Sequence, residues 1–219
     1  MTPLWHPSPN FGPRRDGLSP SLVVLHYTAM DGAEAALDRL CDPAAEVSAH
    51  YLIGADGRLW QMVDEADRAW HAGAGEWQGL DDINSRSIGI ELDNRGDHPF
   101  SAPLMTGLEI LLADILRRWA IPPAGVIGHS DMAPGRKCDP GPRFDWARLA
   151  RAGLAAATLC DPGAESPSPE AFRARACAAG FTAQVDDDTL LAAVRLRHRP
   201  WARGPLAPED FAPFGQVAP

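Results

Sequence analysis

Two segments constrain this chain more than any other feature. One is Gly128-His129-Ser130-Asp131-Met132-Ala133-Pro134-Gly135-Arg136-Lys137-Cys138-Asp139-Pro140-Gly141, and the other is Val23-Val24-Leu25-His26-Tyr27-Thr28. The first holds a histidine and a carboxylate ten positions apart, in a loop rich in Pro and Gly. The second ends a short apolar run on a histidine. Two imidazoles and one carboxylate, with a fourth position left open, is the ligand count of a catalytic zinc site rather than a structural one. Zinc needs rigidly held ligands, and His26, His129 and Asp139 meet that need if their two strands are neighbours. On its own Asp139 reads first as a turn residue ahead of Pro140-Gly141. Cys138 beside it competes for the metal, since thiolate binds zinc well. Neighbours in an extended loop point to opposite sides, so the two cannot both face the metal easily.

The 219 residues suffice for one ordinary domain and a small appendage. With 45% hydrophobic residues the chain can bury a core without disulfide staples. A net charge of −9 argues against a sequence-independent grip on nucleic acid. Cys41, Cys138, Cys160 and Cys177 include no C-x-x-C pair, which fits free and mostly buried thiols in a reducing compartment. No stretch approaches the ~20 apolar residues of a membrane span. Met1 to Pro9 has neither the basic nor the apolar region of a signal peptide, so a cytoplasmic location is expected.

Residues 1–20 read as an irregular Pro-, Gly- and Arg-rich arm. Leu22 to Tyr27 is a continuous apolar run of the kind found in a buried central strand. Ala33 to Leu40 has helical composition. Ser48 to Ile53 and Arg58 to Val63 are strand-like runs joined by Gly54-Ala55-Asp56-Gly57, a hairpin signal. Ser87 to Leu92 is another strand. Leu104, Leu108, Leu111, Leu112, Ile115, Leu116 and Trp119 recur at spacings of three and four, which predicts an amphipathic helix. Thr106 and Glu109 offer a capping box at its start. Val126 to Gly128 is a short strand that delivers His129, and Asp145 caps a helix through Leu154. The expectation is an α/β fold, a central mixed sheet flanked by helices. Residues 1–158 would form the main domain, 159–169 a linker, and 170–219 a short helical appendage. In that appendage Phe172, Phe181, Leu190, Leu191 and Val194 would make a small core.

Five segments in order carry a family resemblance: Leu25-His26-Tyr27-Thr28, Val47-Ser48-Ala49-His50-Tyr51-Leu52-Ile53, Ala69-Trp70-His71-Ala72-Gly73, Ser87-Ile88-Gly89-Ile90-Glu91-Leu92 and the loop from Gly128 to Gly141. From about Pro9 to Leu154 the chain resembles the zinc-dependent N-acetylmuramoyl-L-alanine amidases, a family that also includes T7-type lysozyme and peptidoglycan recognition proteins. The resemblance implies a zinc cleft at one edge of the sheet and one Zn2+ per chain, held by His26, His129 and Asp139. It also implies Glu91 as the catalytic carboxylate and Lys137 as a stabilising cation. Some relatives carry a tyrosine just before the histidine matched by His50; this chain has Ala49. That departure removes a phenol from the site.

The chemistry agrees with those roles. Amide hydrolysis needs a base for water and an acid for the departing nitrogen, and one carboxylate can serve as both in turn. Glu91 lies in an apolar strand, where desolvation raises a carboxyl pKa. A fixed charge at Lys137 would stabilise a developing oxyanion. His50 and His71 either contact substrate or fill polar niches, and Asn94 and Asp131 are further candidate substrate contacts. His6, His98 and His198 look solvent-exposed. The expected activity is hydrolysis of the lactyl-amide bond to L-alanine in muropeptides or peptidoglycan, in cell-wall recycling. Two rival readings are an exported wall-lytic amidase and a non-catalytic peptidoglycan-binding protein. The tail resembles a shortened peptidoglycan-binding helical module through Thr189 to Val194 and Arg199-Pro200.

Overall fold

A computed structural model describes residues 2–157 and 167–214. Its elements are β1 (Leu4–Trp5), β2 (Phe11–Pro13), β3 (Leu22–Tyr27), α1 (Ala33–Cys41), β4 (Tyr51–Ile53), β5 (Leu59–Gln61) and β6 (Asp67–Ala69). There follow α2 (Ile83–Arg86), β7 (Ser87–Leu92), α3 (Ala102–Trp119), β8 (Val126–Gly128), α4 (His129–Met132), α5 (Trp146–Arg151), α6 (Pro169–Ala178) and α7 (Asp187–His198). Six strands form one mixed sheet in the order β1-β5-β4-β7-β3-β8. The β4–β5 pair is the antiparallel hairpin; β3 runs parallel to both β7 and β8. The architecture is the expected mixed sheet flanked by helices.

Period-two alternation divides the sheet into two unlike faces. Val23 and Leu25 of β3 stand with Ile88, Ile90, Leu92, Tyr51 and Ile53 against Leu104, Leu108, Leu112 and Ile115 of α3 and Leu149 of α5. That face is a continuous apolar layer. The opposite face carries Leu22, Val24 and His26 beside Gly89 and Glu91, with Leu52 and Ile127 to either side. Here apolar cover comes from two sides. Leu37 and Leu40 of α1 pack on Leu52 and Trp60, while Phe172, Leu190, Leu191 and Val194 of the tail pack on Leu22, Val24, Ile127 and Met132. The polar end of the face lies between them.

Several local expectations need correction. The arm is not wholly irregular: β1 adds to the sheet edge beside β5, and β2 pairs with β6. Arg14 fastens the arm by donating to the carbonyls of Glu65, Asn84, Ser85 and Ser87. Helix α3 starts earlier than the Thr106–Glu109 box. Ser101 caps it by accepting from Leu104 N at 3.3 Å, and Pro103 occupies the first turn, where its missing N–H costs nothing. Glu109 is drawn instead to the Arg148 guanidinium at 2.6 and 2.8 Å. His198 is half-buried rather than exposed, and burial followed by the Arg197 charge pushes its imidazole down to about 3. The thiols are not mostly buried: Cys138 is exposed, and Cys41 and Cys177 are half-buried. Cys160 and the greater part of the 159–169 linker lie outside the described residues. Among the described residues no helix is long and apolar enough to cross a membrane.

Candidate functional site

The ends of β3, β7 and β8 bring the chemistry together. In the parallel register His26 stands opposite Glu91, and Leu25 opposite Gly128, so His129 follows one step beyond. The loop after α4 returns to the same point because Ser130 N donates to the Asp139 carbonyl at 2.9 Å. His26 Nδ1 lies 2.9 Å from His129 Nδ1 and 2.9 Å from Asp139 Oδ2, while His129 Nδ1 lies 3.0 Å from that same oxygen. Cys138 takes no part; its Sγ turns to the Tyr27 hydroxyl at 3.0 Å. The three residues form a buried group able to hold a metal ion.

Hydrogen-bond partners on the far side of each ring fix the tautomers. Ser87 Oγ donates to the Ile83 carbonyl at 2.6 Å, so toward His71 Nε2 at 3.2 Å it accepts. His71 Nδ1 then carries a lone pair. It faces His26 Nε2 at 3.0 Å, which must donate. His26 Nδ1 is therefore an acceptor. For His129, the Ala72 carbonyl 2.8 Å from Nε2 requires a proton there, so its Nδ1 is an acceptor as well. Burial, then the proximity of His129, pushes the His26 imidazole down to about 4, which keeps it neutral. Two imidazole lone pairs and a carboxylate oxygen thus converge within 3.0 Å with no proton among them. Such an arrangement repels itself unless a cation lies at its centre. The donor set fits zinc.

Beside this group lies an open cleft of about 370 Å³, lined by His26, Tyr27, His71, Glu91, His129, Lys137 and Asp139, with Arg39, Trp70 and Arg136 further out. Glu91 Oε2 is buried without a hydrogen-bond partner. Burial first, then the Asp139 charge, pushes its carboxyl up to about 8, against the opposing pull of Lys137. Lys137 itself is exposed at the cleft wall.

The remaining candidates stand elsewhere. His50 is fully buried; its Nδ1 accepts from Gly89 N at 3.0 Å and its Nε2 faces the Asp67 carbonyl at 3.1 Å. It braces strands and has no surface in the cleft. Asn94 is 2% exposed, and its amide bridges Gly96 N and the carbonyls of His98 and Pro99. Asp131, at 0% exposure, accepts from Gly128 N and pairs with Arg197. Both occupy structural niches, where the burial of a polar group requires partners. His71 does line the cleft, though both its nitrogens serve the relay from Ser87 to His26.

Two residues in the site were not legible from motifs. Arg136 donates to the Ala72 and Ala74 carbonyls, holding the Ala72–Ala74 segment that also receives His129. Gly89 makes room for His71: a Cβ there would lie 2.4 Å from His71 Cγ and 2.7 Å from its Nδ1. Gly89→Ala should therefore displace His71 and release His26. We expect a roughly 10–100-fold weaker zinc affinity in chelator competition, the range found when a partner behind a ligand is lost. An unchanged affinity would show that His71 does not orient His26.

Residues 16–142 match the family model described as N-acetylmuramoyl-L-alanine amidase. The chain is 42% identical over 151 residues to the N-acetylmuramoyl-L-alanine amidase AmiD of Escherichia coli K12, covering 62% of this chain and 54% of AmiD. It is 36% identical over 159 residues to the 1,6-anhydro-N-acetylmuramyl-L-alanine amidase AmpD of Haemophilus influenzae, covering 64% of this chain and 86% of AmpD. The solved complex of E. coli AmiD with the substrate anhydro-N-acetylmuramic acid-L-Ala-D-γ-Glu-L-Lys superposes with a TM-score of 0.79 at 31% identity, over 93% of this chain and 88% of that one. The AmpDH3 structure from Pseudomonas aeruginosa in complex with anhydromuramic pentapeptide gives a TM-score of 0.79 at 32% identity, over 94% of this chain and 91% of that one.

Proposed function

Because this chain belongs to the N-acetylmuramoyl-L-alanine amidase family, we propose that it hydrolyses the amide between the lactyl group of N-acetylmuramic acid and L-alanine. The substrate of this reading is the soluble anhydromuropeptide of cell-wall recycling. The observation that carries it is the three converging acceptor atoms of His26, His129 and Asp139, with an unpartnered Glu91 oxygen beside them in an open cleft. The AmiD and AmpDH3 complexes, each holding an anhydromuramic peptide, support the substrate class.

His26, His129 and Asp139 would hold zinc, with His71 and Ala72 orienting the two imidazoles. Bound there, the metal would supply a Lewis acid and lower the pKa of water toward ~7. Glu91 takes a proton from the attacking water as the new C–O bond forms at the lactyl carbonyl. It then returns that proton to the alanine nitrogen as the C–N bond breaks, so a single carboxyl balances the reaction. Its burial suits it to both halves, since a desolvated carboxyl holds a proton readily. Lys137 keeps a positive charge on the cleft wall, where negative charge grows on the carbonyl oxygen. Lys137→Ala should lower kcat by ~10²–10³ with zinc content unaltered by metal analysis. A wild-type rate would remove Lys137 from the mechanism.

Chromatography of a digest of anhydro-N-acetylmuramyl tripeptide tests the reading as a whole. It should yield the anhydro sugar and the free peptide, with much slower release from purified sacculi. Faster release from sacculi would favour a wall-lytic enzyme. Binding without cleavage of either substrate would favour a non-catalytic peptidoglycan-binding protein. The recycling reading goes with a cytoplasmic location, which cell fractionation checks.

A further inference from the structure

The tail helix α7 reaches the corner between β8 and α4, where His129 stands, through Arg197. Arg197 is 8% exposed, and its guanidinium lies 3.9 Å from the centre of the Trp146 ring. One of its nitrogens pairs with Asp131 Oδ2, and another donates to the Val126 carbonyl at 3.2 Å. Those two partners bracket the corner at which β8 ends and α4 begins, and His129 lies inside the bracket. The same Asp131 oxygen accepts Gly128 N at 2.8 Å, so it fixes the residue just before His129. Asp131 is wholly buried, its Oδ1 has no partner, and Arg197 is the cation that its described contacts supply. A buried carboxylate that loses its guanidinium partner loses the contact that holds it in place, and the Gly128 turn that it fixes loosens with it. Two turns earlier, α7 also lies against the loop that leads to Asp139: a Cβ on Gly135 would come within 2.9 Å of Thr189 Cγ2.

We propose that Arg197 is a positioning residue for the metal site, and that α7 is therefore part of the scaffold holding His129. This rests on reading His26, His129 and Asp139 as metal ligands. Guanidinium suits the task because its planar fork engages the Asp131 carboxylate and the Val126 carbonyl together while stacking on Trp146; an ammonium offers one point of charge.

The test is zinc affinity of the folded apoprotein by chelator competition, with circular dichroism and thermal unfolding on the same samples. Arg197→Met keeps the contact with Trp146 and removes both polar bonds. It should weaken zinc binding about tenfold or more, as loss of supporting groups around a ligand does. Arg197→Lys should recover part of that loss. Phe211→Leu, which thins the same tail core without touching Asp131, should lower the unfolding temperature and leave zinc affinity within about twofold. Zinc affinity unchanged in folded Arg197→Met, or an equal loss in Phe211→Leu, would overturn the proposal. If Arg197→Met does not fold, Arg197→Lys decides: weaker zinc binding supports the role and wild-type binding refutes it. Failure of the wild-type protein to bind zinc would refute the ligand reading instead.

Discussion

Purified wild-type protein is expected to hold about one zinc, and His129→Ala to hold none and to release no peptide. The same result is expected for His26→Ala and Asp139→Ala, because each removal leaves two ligands of a set that already has an open position. A chelator should abolish wild-type activity, and added zinc should restore it. His50→Asn and Asn94→Ala serve as controls, since both residues lie outside the cleft and should leave metal content intact. Asp139→Asn carries a sharper expectation. Its amide can donate to an imidazole lone pair, so the apoprotein should unfold at a higher temperature than wild-type apoprotein. In zinc the order should reverse. A lower apo unfolding temperature for Asp139→Asn would mean that the imidazoles present protons, not lone pairs, to this carboxylate. Full activity in metal-free protein would remove the metal from the reading altogether.

The grouping of His26, His129 and Asp139 was legible because motif spacing and strand pattern agree with each other. A histidine ending an apolar run and another following a short strand meet only if the strands are neighbours, and the β3–β8 register makes them so. Glu91, singled out by the family resemblance, lies beside that group: its alternation with Ile88, Ile90 and Leu92 puts it on the face of β7 that His26 occupies on β3. What a sequence conceals is which polar residue near a motif touches substrate and which braces backbone. His50, Asn94 and Asp131 have the composition of site residues, yet each spends hydrogen-bonding atoms on neighbouring main chain or on Arg197. No local pattern distinguishes the two cases, because the partners come from distant segments.

His71 shows the converse. Its value lies in a relay through Ser87, in close approach to Gly89 and in the far nitrogen of His26. Only the folded arrangement assigns its tautomer. The spacing of Phe172, Phe181, Leu190, Leu191 and Val194 predicts a small core in the tail. In the fold Phe172, Leu190 and Val194 share one apolar cluster with Val24 and Ile127 of the central sheet. Amphipathic spacing reveals that a helix has an apolar face, though not which surface that face meets.

Glu91→Gln is expected to retain zinc and to lower kcat by ~10²–10⁴, the contribution usual for a positioned acid–base group. The substitution keeps size and planarity, so Leu52 and His26 on the flanking strands should keep their places. It removes the ability to accept a proton from water and return it to nitrogen. Because Glu91 Oε2 has no partner among the described residues, the amide that replaces the carboxyl breaks no existing hydrogen bond there. It should also relieve the cost of placing a second carboxylate near Asp139, so the variant should be at least as stable as wild type to thermal unfolding. Loss of rate without loss of metal or stability separates a chemical role from a structural one. If Glu91→Gln keeps most of its kcat, the proton must move by another route. An alternative on the cleft wall would then be the Tyr27 hydroxyl, which burial, then its contact with Cys138, holds well above the ordinary phenol range. Tyr27→Phe in the Glu91→Gln background would decide between them, since a phenol that carries the reaction cannot be lost without abolishing the residual rate.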